Sequence, residues 1–199
     1  WRLSMSSLSR TVAPTLQPVS LEEVYAHVRV ADRSADTLAL LNRLIDTAAR
    51  LAEEITRRAL LTQTWQLKLD AFPPSEILLP RPPLQSVTAI QYVDTSGETQ
   101  TLGAEVYTVD TAHDPGRVLL AASQTWPAIR GEPNDVTITY VAGWTAAASV
   151  PQTIRHAILM LVHHWYDFPT EVITGTIVNR VPWAAENLLL MERCYGIET

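Results

Sequence analysis

The hydrophobic period of the chain changes at Thr62, and this change limits the folds that the chain can adopt. Upstream, apolar side chains recur every three or four residues, as the buried face of one long helix requires. These side chains are Leu38, Leu41, Ile45, Ala48, Ala52, Ile55 and Ala59. Downstream, apolar and polar residues alternate as in half-buried strands, and helical spacing returns at Pro151. The sequence therefore predicts an α+β fold with a small antiparallel β-domain inserted between helices.

Capping signals and apolar spacing predict about four helices, one of them long. Ser20 and Glu23 have the S-x-x-E spacing of a capping box ahead of the first helix. Pro151 suits the first turn of the third helix. The predicted helices cover residues 21–28, 36–58, 151–168 and 182–195. We expect them to form a helical bundle, with the β-domain between the second helix and the third.

Strand alternation and turn residues divide the inserted segment. The predicted strands cover residues 64–69, 87–93, 105–110, 117–120 and 136–141. Residues 94–98 are typical of a hairpin turn, and Asp114-Pro115-Gly116 favours a type II turn. The prolines concentrated between residues 72 and 84 indicate a stiff connector or a sheet edge.

These patterns predict three parts of the chain. Residues 1–18 are rich in Ser, Thr and Pro and show no period, so we expect an N-terminal arm that is disordered unless a partner orders it. Residues 19–61 and 150–199 are expected to form one helical body. Residues 62–149 are expected to form the antiparallel β-domain.

Charge and composition exclude several classes of protein. A net charge of −6 argues against a protein that coats DNA by bulk electrostatics. The longest apolar run, residues 157–162, is far shorter than the roughly 20 residues that a membrane-spanning helix needs, so no membrane partner is expected. With Cys194 as its one cysteine, the sequence has no internal disulfide, which is typical of a protein made in a reducing cytoplasm.

No familiar catalytic motif occurs in the sequence. The nucleophile elbow G-x-S-x-G and the phosphate-binding loops G-x-x-x-x-G-K-[ST] and G-x-G-x-x-G are absent. His156 and His163 share one helical face with Asp167, a set that can ligate zinc, but their spacing is not H-E-x-x-H. We expect these histidines to pack or to cap a helix end. The sequence therefore predicts neither an enzyme nor a bound metal or cofactor.

A row of arginines marks the polar side of the long helix. Four residues make up the row, the first three at seven-residue spacing: Arg43, Arg50, Arg57 and Arg58. Such a row can face the phosphate backbone of DNA. Alternatively, Asp46 and Glu53, each four residues before an arginine, can form helix ion pairs and leave a solvated, nearly neutral face.

An ordered set of short motifs follows the same layout. In chain order the motifs are EEITRRAL at 53–60, TQTW at 62–65, ILLPRPPL at 77–84, VTAIQYVD at 87–94, WP at 126–127, VAGW at 141–144, and a helix from VP at 150–151 to HWY at 164–166. Over residues 19–195, this order resembles the head–tail connector (adaptor) proteins of long-tailed phages and of phage-like gene transfer agents.

The resemblance implies a structural protein of the virion neck, at the capsid vertex of a phage or phage-like particle, that is made in the bacterial cytoplasm. Adaptors of this family form a ring, usually of twelve copies, below the portal protein. The ring extends the channel for double-stranded DNA, which passes without sequence-specific contacts. It also docks the stopper, or tail-completion, protein. The implied partners are therefore further copies of the chain, the portal, the stopper and passing DNA.

The same resemblance implies roles for two segments. Residues 183–199 correspond to the portal-gripping segment, with four apolar anchors: Trp183, Leu188, Leu189 and Met191. Residues 170–180 correspond to a loop that faces the next ring or the lumen; its polar candidates are Thr170, Thr174, Thr176 and Arg180. The β-domain is expected at the periphery.

Two other functions stay open at this stage. A different neck or tail-completion protein, such as a stopper, would have a mostly β body, against which the long helix over residues 36–58 argues. A small metal-dependent hydrolase would need a zinc ion bound by His156, His163 and Asp167.

Overall fold

The computed structural model describes residues 5–168 and 183–195 of the chain. These residues belong to two compact units. We call them the β unit, which contains residues 5–14, 62–144 and 194–195, and the helical unit, which contains residues 15–61, 145–168 and 183–193. The expected α+β fold, with antiparallel strands between the second and third helices, is confirmed.

Two antiparallel sheets build the β unit. The strands are β1 (Met5–Val12), β2 (Gln63–Leu69), β3 (Glu76–Leu78), β4 (Leu84–Val93), β5 (Thr99–Thr101), β6 (Tyr107–Asp110), β7 (Arg117–Leu120) and β8 (Val136–Ala142). The larger sheet has the order β1-β2-β8-β4-β5, and the smaller has the order β3-β7-β6. The last of the described strands, β8, therefore lies at the centre of the larger sheet.

Alternating burial along β2 and β8 explains why these segments become strands. In both, every second side chain is buried. Antiparallel register places Leu67 opposite Ile138 and Trp65 opposite Tyr140, so that buried side chains of the two strands meet on one face. The Tyr140 hydroxyl donates to the Pro80 carbonyl at 2.7 Å, and burial raises the pKa of Tyr140 above its usual value.

One carboxylate organises the hairpin between β4 and β5, and the turn predicted at residues 94–98 is confirmed. Asp94 Oδ1 accepts from the Ser96 amide at 2.9 Å and from the Glu98 amide at 3.1 Å. Gly97 takes the positive φ, 86°, that the turn requires. Hydrogen bonds from the Ser96 hydroxyl, the Gln100 side chain and the Glu98 amide lower the pKa of Asp94 to about 2.

The turn before β7 differs from the prediction. A type II turn requires a positive φ at Gly116, and this residue is not among the positive-φ glycines of the chain. The glycine is needed for space instead, because a Cβ at this position would lie 2.4 Å from the Cβ of Leu84. Close packing against Leu84, which the local sequence does not reveal, therefore explains this glycine.

The N-terminal segment also differs from the prediction. Residues 5–12, which were expected to belong to a disordered arm, form the edge strand β1 and pair antiparallel with β2. Arg10 lies opposite Trp65, and its Nη1 donates to Gln63 Oε1 at 3.1 Å. The prediction was wrong for these residues because an edge strand draws its order from a partner strand about fifty residues away, which a local pattern cannot show.

Four helices in the described ranges build the helical unit: α1 (Leu21–Val28), α2 (Ala35–Thr56), α3 (Gln152–Asp167) and α4 (Trp183–Met191). A single 3₁₀ turn, Ala147–Ser149, precedes α3. The capping box predicted for α1 is confirmed, since Ser20 Oγ accepts from the Glu23 amide and the Glu23 carboxylate accepts from the Ser20 amide. None of these helices has the length and apolar content to cross a membrane.

The apolar stripe of α2 is buried over most of its length. Leu41, Ile45, Ala48 and Ala52 are fully buried, as their spacing predicts. Leu38, at the first turn, is 42% exposed. The helix ends at Thr56, and Glu53 near this end is buried, with its Oε1 accepting from the Leu60 amide at 3.0 Å. The carboxylate therefore anchors the chain that leaves the helix.

Candidate interaction surfaces of the helical unit

Helix α4 has one buried side and one exposed side. Ala185 and Leu189, four residues apart, are fully buried in the packing of α4 against α2 and α3. Trp183 and Met191, at the two ends of the helix, are 73% and 76% exposed. Trp183, the half-buried Asn187 and Met191 follow each other at four-residue spacing, and we call these three residues the α4 outer face.

The four apolar anchors inferred from the sequence therefore occupy different positions. Trp183 and Met191 belong to the α4 outer face, whereas Leu189 belongs to the core of the helical unit and Leu188 is half-buried. The sequence could not separate them, because the run from Leu188 to Met191 is apolar at every position and has no helical period of its own.

The arginines of α2 also divide into two pairs. Arg43 and Arg50 are exposed and, in the part of the chain that the structure describes, neither takes part in an ion pair. Asp46 is engaged elsewhere, because its Oδ1 accepts from Gln17 Nε2 at 2.9 Å. The pair therefore presents two guanidinium groups that lie two helical turns apart, about 10 Å along the axis.

Arg57 and Arg58 lie beyond the last turn of α2. Arg57 is the C-cap residue, with a φ of 57°, and is half-buried. Arg58 Nε donates to the Glu192 carbonyl at 2.7 Å and so ties the end of α2 to the segment after α4. The four arginines therefore form two pairs. Arg43 and Arg50 are exposed, whereas Arg57 and Arg58 lie at the end of the helix and are half-buried.

Three histidines meet on the helical unit, although the sequence placed only two of them together. His27, in the last turn of α1, lies between His156 and His163 of α3, at ring-centroid distances of 5.8 and 5.5 Å. His163 Nε2 lies 3.0 Å from Asp167 Oδ2. Within the described ranges, no group of three His, Cys, Asp or Glu residues is arranged to hold a metal ion. The hydrolase alternative therefore gains no support from this cluster.

The sequence analysis did not predict three further exposed apolar side chains, of which Leu16 precedes α1 and the other two lie in the first turns of α2. Leu16, Leu38 and Leu40 are exposed, whereas the residues that follow on the stripe are buried. The sequence did contain a signal for the exposure of Leu40, because this large apolar residue does not belong to the apolar stripe of α2.

The loop candidates Thr170, Thr174, Thr176 and Arg180 lie outside the described residues.

Comparison with known families matches residues 19–176 to the family described as head completion protein. The chain belongs to the head completion protein family. The match contains α1 to α3 and the strands from β2 onward. This head completion protein is accordingly a structural component of a phage or phage-like particle, and the family resemblance inferred from the order of motifs is confirmed.

Three solved structures with this fold come from gene transfer agent particles. One is described as the virion of a native particle, with 23% sequence identity and a TM-score of 0.75. Two are described as particle necks: an empty particle computed with C6 symmetry, at 22% and 0.73, and a native particle computed with C12 symmetry, at 20% and 0.69. Each match covers 96% of this chain and 97% of the other. No curated protein matches the chain.

Proposed function

We propose that this head completion protein is a head–tail adaptor. In this function, copies of the chain form a ring below the portal, extend the DNA channel and dock the stopper. The α4 outer face carries the proposal, because Trp183 and Met191 are large apolar side chains left exposed on a helix whose other side is buried. The similarity to chains of particle necks, over nearly the whole length of both chains, supports the same placement.

The α4 outer face is the proposed portal contact. Tryptophan and methionine are enriched at the centres of protein interfaces, where a large apolar side chain can fill a pocket on the partner. Leu189 has a different role in this proposal, since it is fully buried and fixes α4 to the rest of the helical unit. Trp183 and Met191 thus bind, and Leu189 positions the helix.

The exposed pair Arg43 and Arg50 is the proposed face toward DNA. Both guanidinium groups lack a carboxylate partner among the described residues, so their charge is available to a phosphate backbone. Two charges per copy, in a protein with a net charge of −6, allow only weak contacts without sequence preference. Such contacts suit DNA that must slide. The loop over residues 170–180 remains the proposed contact with the next ring or the lumen.

A ring of identical subunits places a further requirement on each copy. Cyclic rings use head-to-tail contacts, so two different surfaces of the subunit must complement each other. The exposed leucines Leu16, Leu38 and Leu40 provide apolar area for one of them. We propose twelve copies, the number indicated by the family resemblance and by one neck structure computed with C12 symmetry.

Native mass spectrometry of the full chain mixed with the portal protein from the same particle tests the proposal. We expect one copy of the chain for each portal subunit. The double variant Trp183→Ala/Met191→Ala is expected to lose portal binding, whereas Glu186→Ala, at an exposed position of the same helix, is expected to keep it. Binding to the stopper but not to the portal would instead indicate another neck position. Portal binding that survives the double variant would move the contact away from α4.

A further inference from the structure

We propose that His27, His156 and His163 form a pH-sensitive latch, which holds α1 against α3 at neutral pH and releases it in acid. The three imidazoles join two helices that are far apart in the sequence. The latch belongs to the helical unit and does not depend on the proposed contacts with the portal or with DNA.

The His27 ring acts as a wedge, by which we mean that it contacts both His156 and His163. His156 and His163 are seven residues apart on α3, two turns or about 10 Å along the helix axis. The His27 ring meets each of them edge to face, with interplanar angles of 88° and 89°. Edge-to-face contact is favourable between neutral rings. Protonation of His27 and of either neighbour would place two positive charges within about 6 Å of each other.

The charged groups around the cluster determine which ring is most sensitive. His163 has a carboxylate beside it on its own helix, that of Asp167. On α1, Glu23 is engaged by the Ser20 amide and by Arg155 of α3. The other acidic residue of α1, Glu22, pairs with Arg33. His27 therefore has two imidazoles as its closest titratable neighbours.

Among the residues that the structure describes, the remaining helices contribute no compensating charge to His27. On α2, which packs against α1 and α3, Asp46 is engaged by Gln17 and Glu53 by the Leu60 amide. On the α4 side of α3, Glu192 accepts from the Thr153 hydroxyl. The interactions that act on His27 are its burial and the charges of His163 and His156, and all three lower its pKa.

The direction of the pH effect follows from this shift. A histidine whose pKa is lowered in the folded state binds fewer protons than the unfolded chain, so its contribution to stability falls as the pH falls below about 6.5. Hydrogen bonds from the Ser20 amide and hydroxyl, together with Arg155, hold the pKa of Glu23 below its usual value. The capping box and the Glu23–Arg155 pair therefore persist at a mildly acidic pH, where the contribution of His27 to stability has already begun to fall. The latch is the first of these α1 contacts to fail.

Hydrogen exchange of the full chain at pH 7.5 and pH 5.5 tests the latch, with protection factors compared so that the intrinsic pH dependence of exchange cancels. We expect the protection of the α1 amides to be lower at pH 5.5 than at pH 7.5, while the amides of β2 and β8 keep theirs. Equal protection of α1 at both pH values would overturn the proposal.

Two variants and a control identify the groups responsible. His27→Gln removes the wedge and is expected to make α1 protection the same at both pH values. His156→Gln acts at an exposed position, where folding is not at risk, and is expected to reduce the acid effect. His164→Gln, on the same helix but in contact with Phe168 instead of His27, is expected to retain the full effect. If His27→Gln and His156→Gln both lose α1 protection in acid to the same extent as the parent protein, the pH dependence belongs to other groups.

Discussion

The β unit and the helical unit differ in how their arginine side chains are paired. In the β unit, Arg117 is neutralised locally: it pairs with Asp110 at 3.0 Å and with Glu76 at 2.9 Å, so one guanidinium joins all three strands of the smaller sheet. Burial of Asp135 opposes its ionisation, but donors from Glu132, Arg130 and Gly131 outweigh burial and lower its pKa. These contacts stabilise the β unit from within.

The helical unit also contains ion pairs, Glu22–Arg33 and Glu23–Arg155, but it leaves two exposed arginines available for partners. Arg43 and Arg50 have no carboxylate partner among the described residues, and the α4 outer face exposes a tryptophan and a methionine. Ion pairs that join the strands of a sheet favour a rigid module, whereas unpaired charges and exposed apolar side chains favour assembly. We therefore expect substitutions in the β unit to change stability. Surface substitutions in the helical unit are expected to change binding, with little change in stability.

The largest expected effect lies in the centre of the larger sheet. Ile138→Ala removes a fully buried side chain from β8 and is expected to lower the free energy of unfolding by about 3 kcal/mol, because a cavity remains. Urea denaturation measures the change. Thr139→Ala, at the neighbouring half-buried position on the other face of β8, is the matched control and should cost under about 1 kcal/mol. Equal losses would mean that β8 is not buried on one face.

A smaller effect is expected at the start of α1. Ser20→Ala removes the side chain that accepts from the Glu23 amide, and should lower the free energy of unfolding by about 1 kcal/mol. Thermal denaturation followed by circular dichroism measures it. Ala26→Gln, at an exposed site on the same helix, is expected to be neutral. If both variants are neutral, the capping box does not contribute to the stability of the helical unit.

The hairpin between β4 and β5 should respond to acid through one residue. Because its pKa is lowered to about 2, Asp94 contributes stability that is complete above its ordinary pKa near 4 and is lost as the pH falls toward 2. Asp94→Asn should therefore destabilise the protein at pH 5, and its difference from the parent protein should shrink as the pH is lowered. Unfolding free energies at several pH values measure this. A difference that is constant with pH would assign the effect to shape instead of charge.

The smallest effect on stability is expected at the α4 outer face. Trp183→Ala truncates an exposed side chain and should change the free energy of unfolding by no more than about 0.5 kcal/mol. Leu189→Ala, on the buried side of the same helix, should cost about 2 kcal/mol or more. Urea denaturation of the two variants separates a binding side from a packing side. A large loss for Trp183→Ala would place that ring in the folded core.

The sequence predicted those elements whose signal is local. The apolar residues of α2 recur every three or four positions, and the Ser20 cap involves residues within a single turn. The alternation along β2 and along β8 lies within one strand. Each of these signals can therefore be recognised without the elements that pack against it. Strand β1 was not predicted, because its order depends on pairing with β2. The type II turn at Gly116 was wrong for a related reason, since contact with Leu84 determines that position.

The candidate surfaces were predicted less completely than the fold. The sequence singled out α4, but its apolar run did not reveal that Leu189 faces inward and Trp183 outward. It also grouped four arginines that the end of α2 divides into two pairs. His27 joined the other two histidines only in the structure, because α1 and α3 are about 130 residues apart and no periodic pattern connects them.

The central position of β8 has a consequence for biosynthesis. Strands β2 and β4 leave the ribosome well before residues 136–142, which must lie between them. Until then each has an open edge that can pair with other chains, the usual route to aggregation of unfinished sheets. The larger sheet can be completed only after most of the chain has been translated, because β8 must first pair with both β2 and β4. Fragments that end before Val136 should therefore accumulate as insoluble protein, whereas a chain that ends after β8 already has every strand it needs.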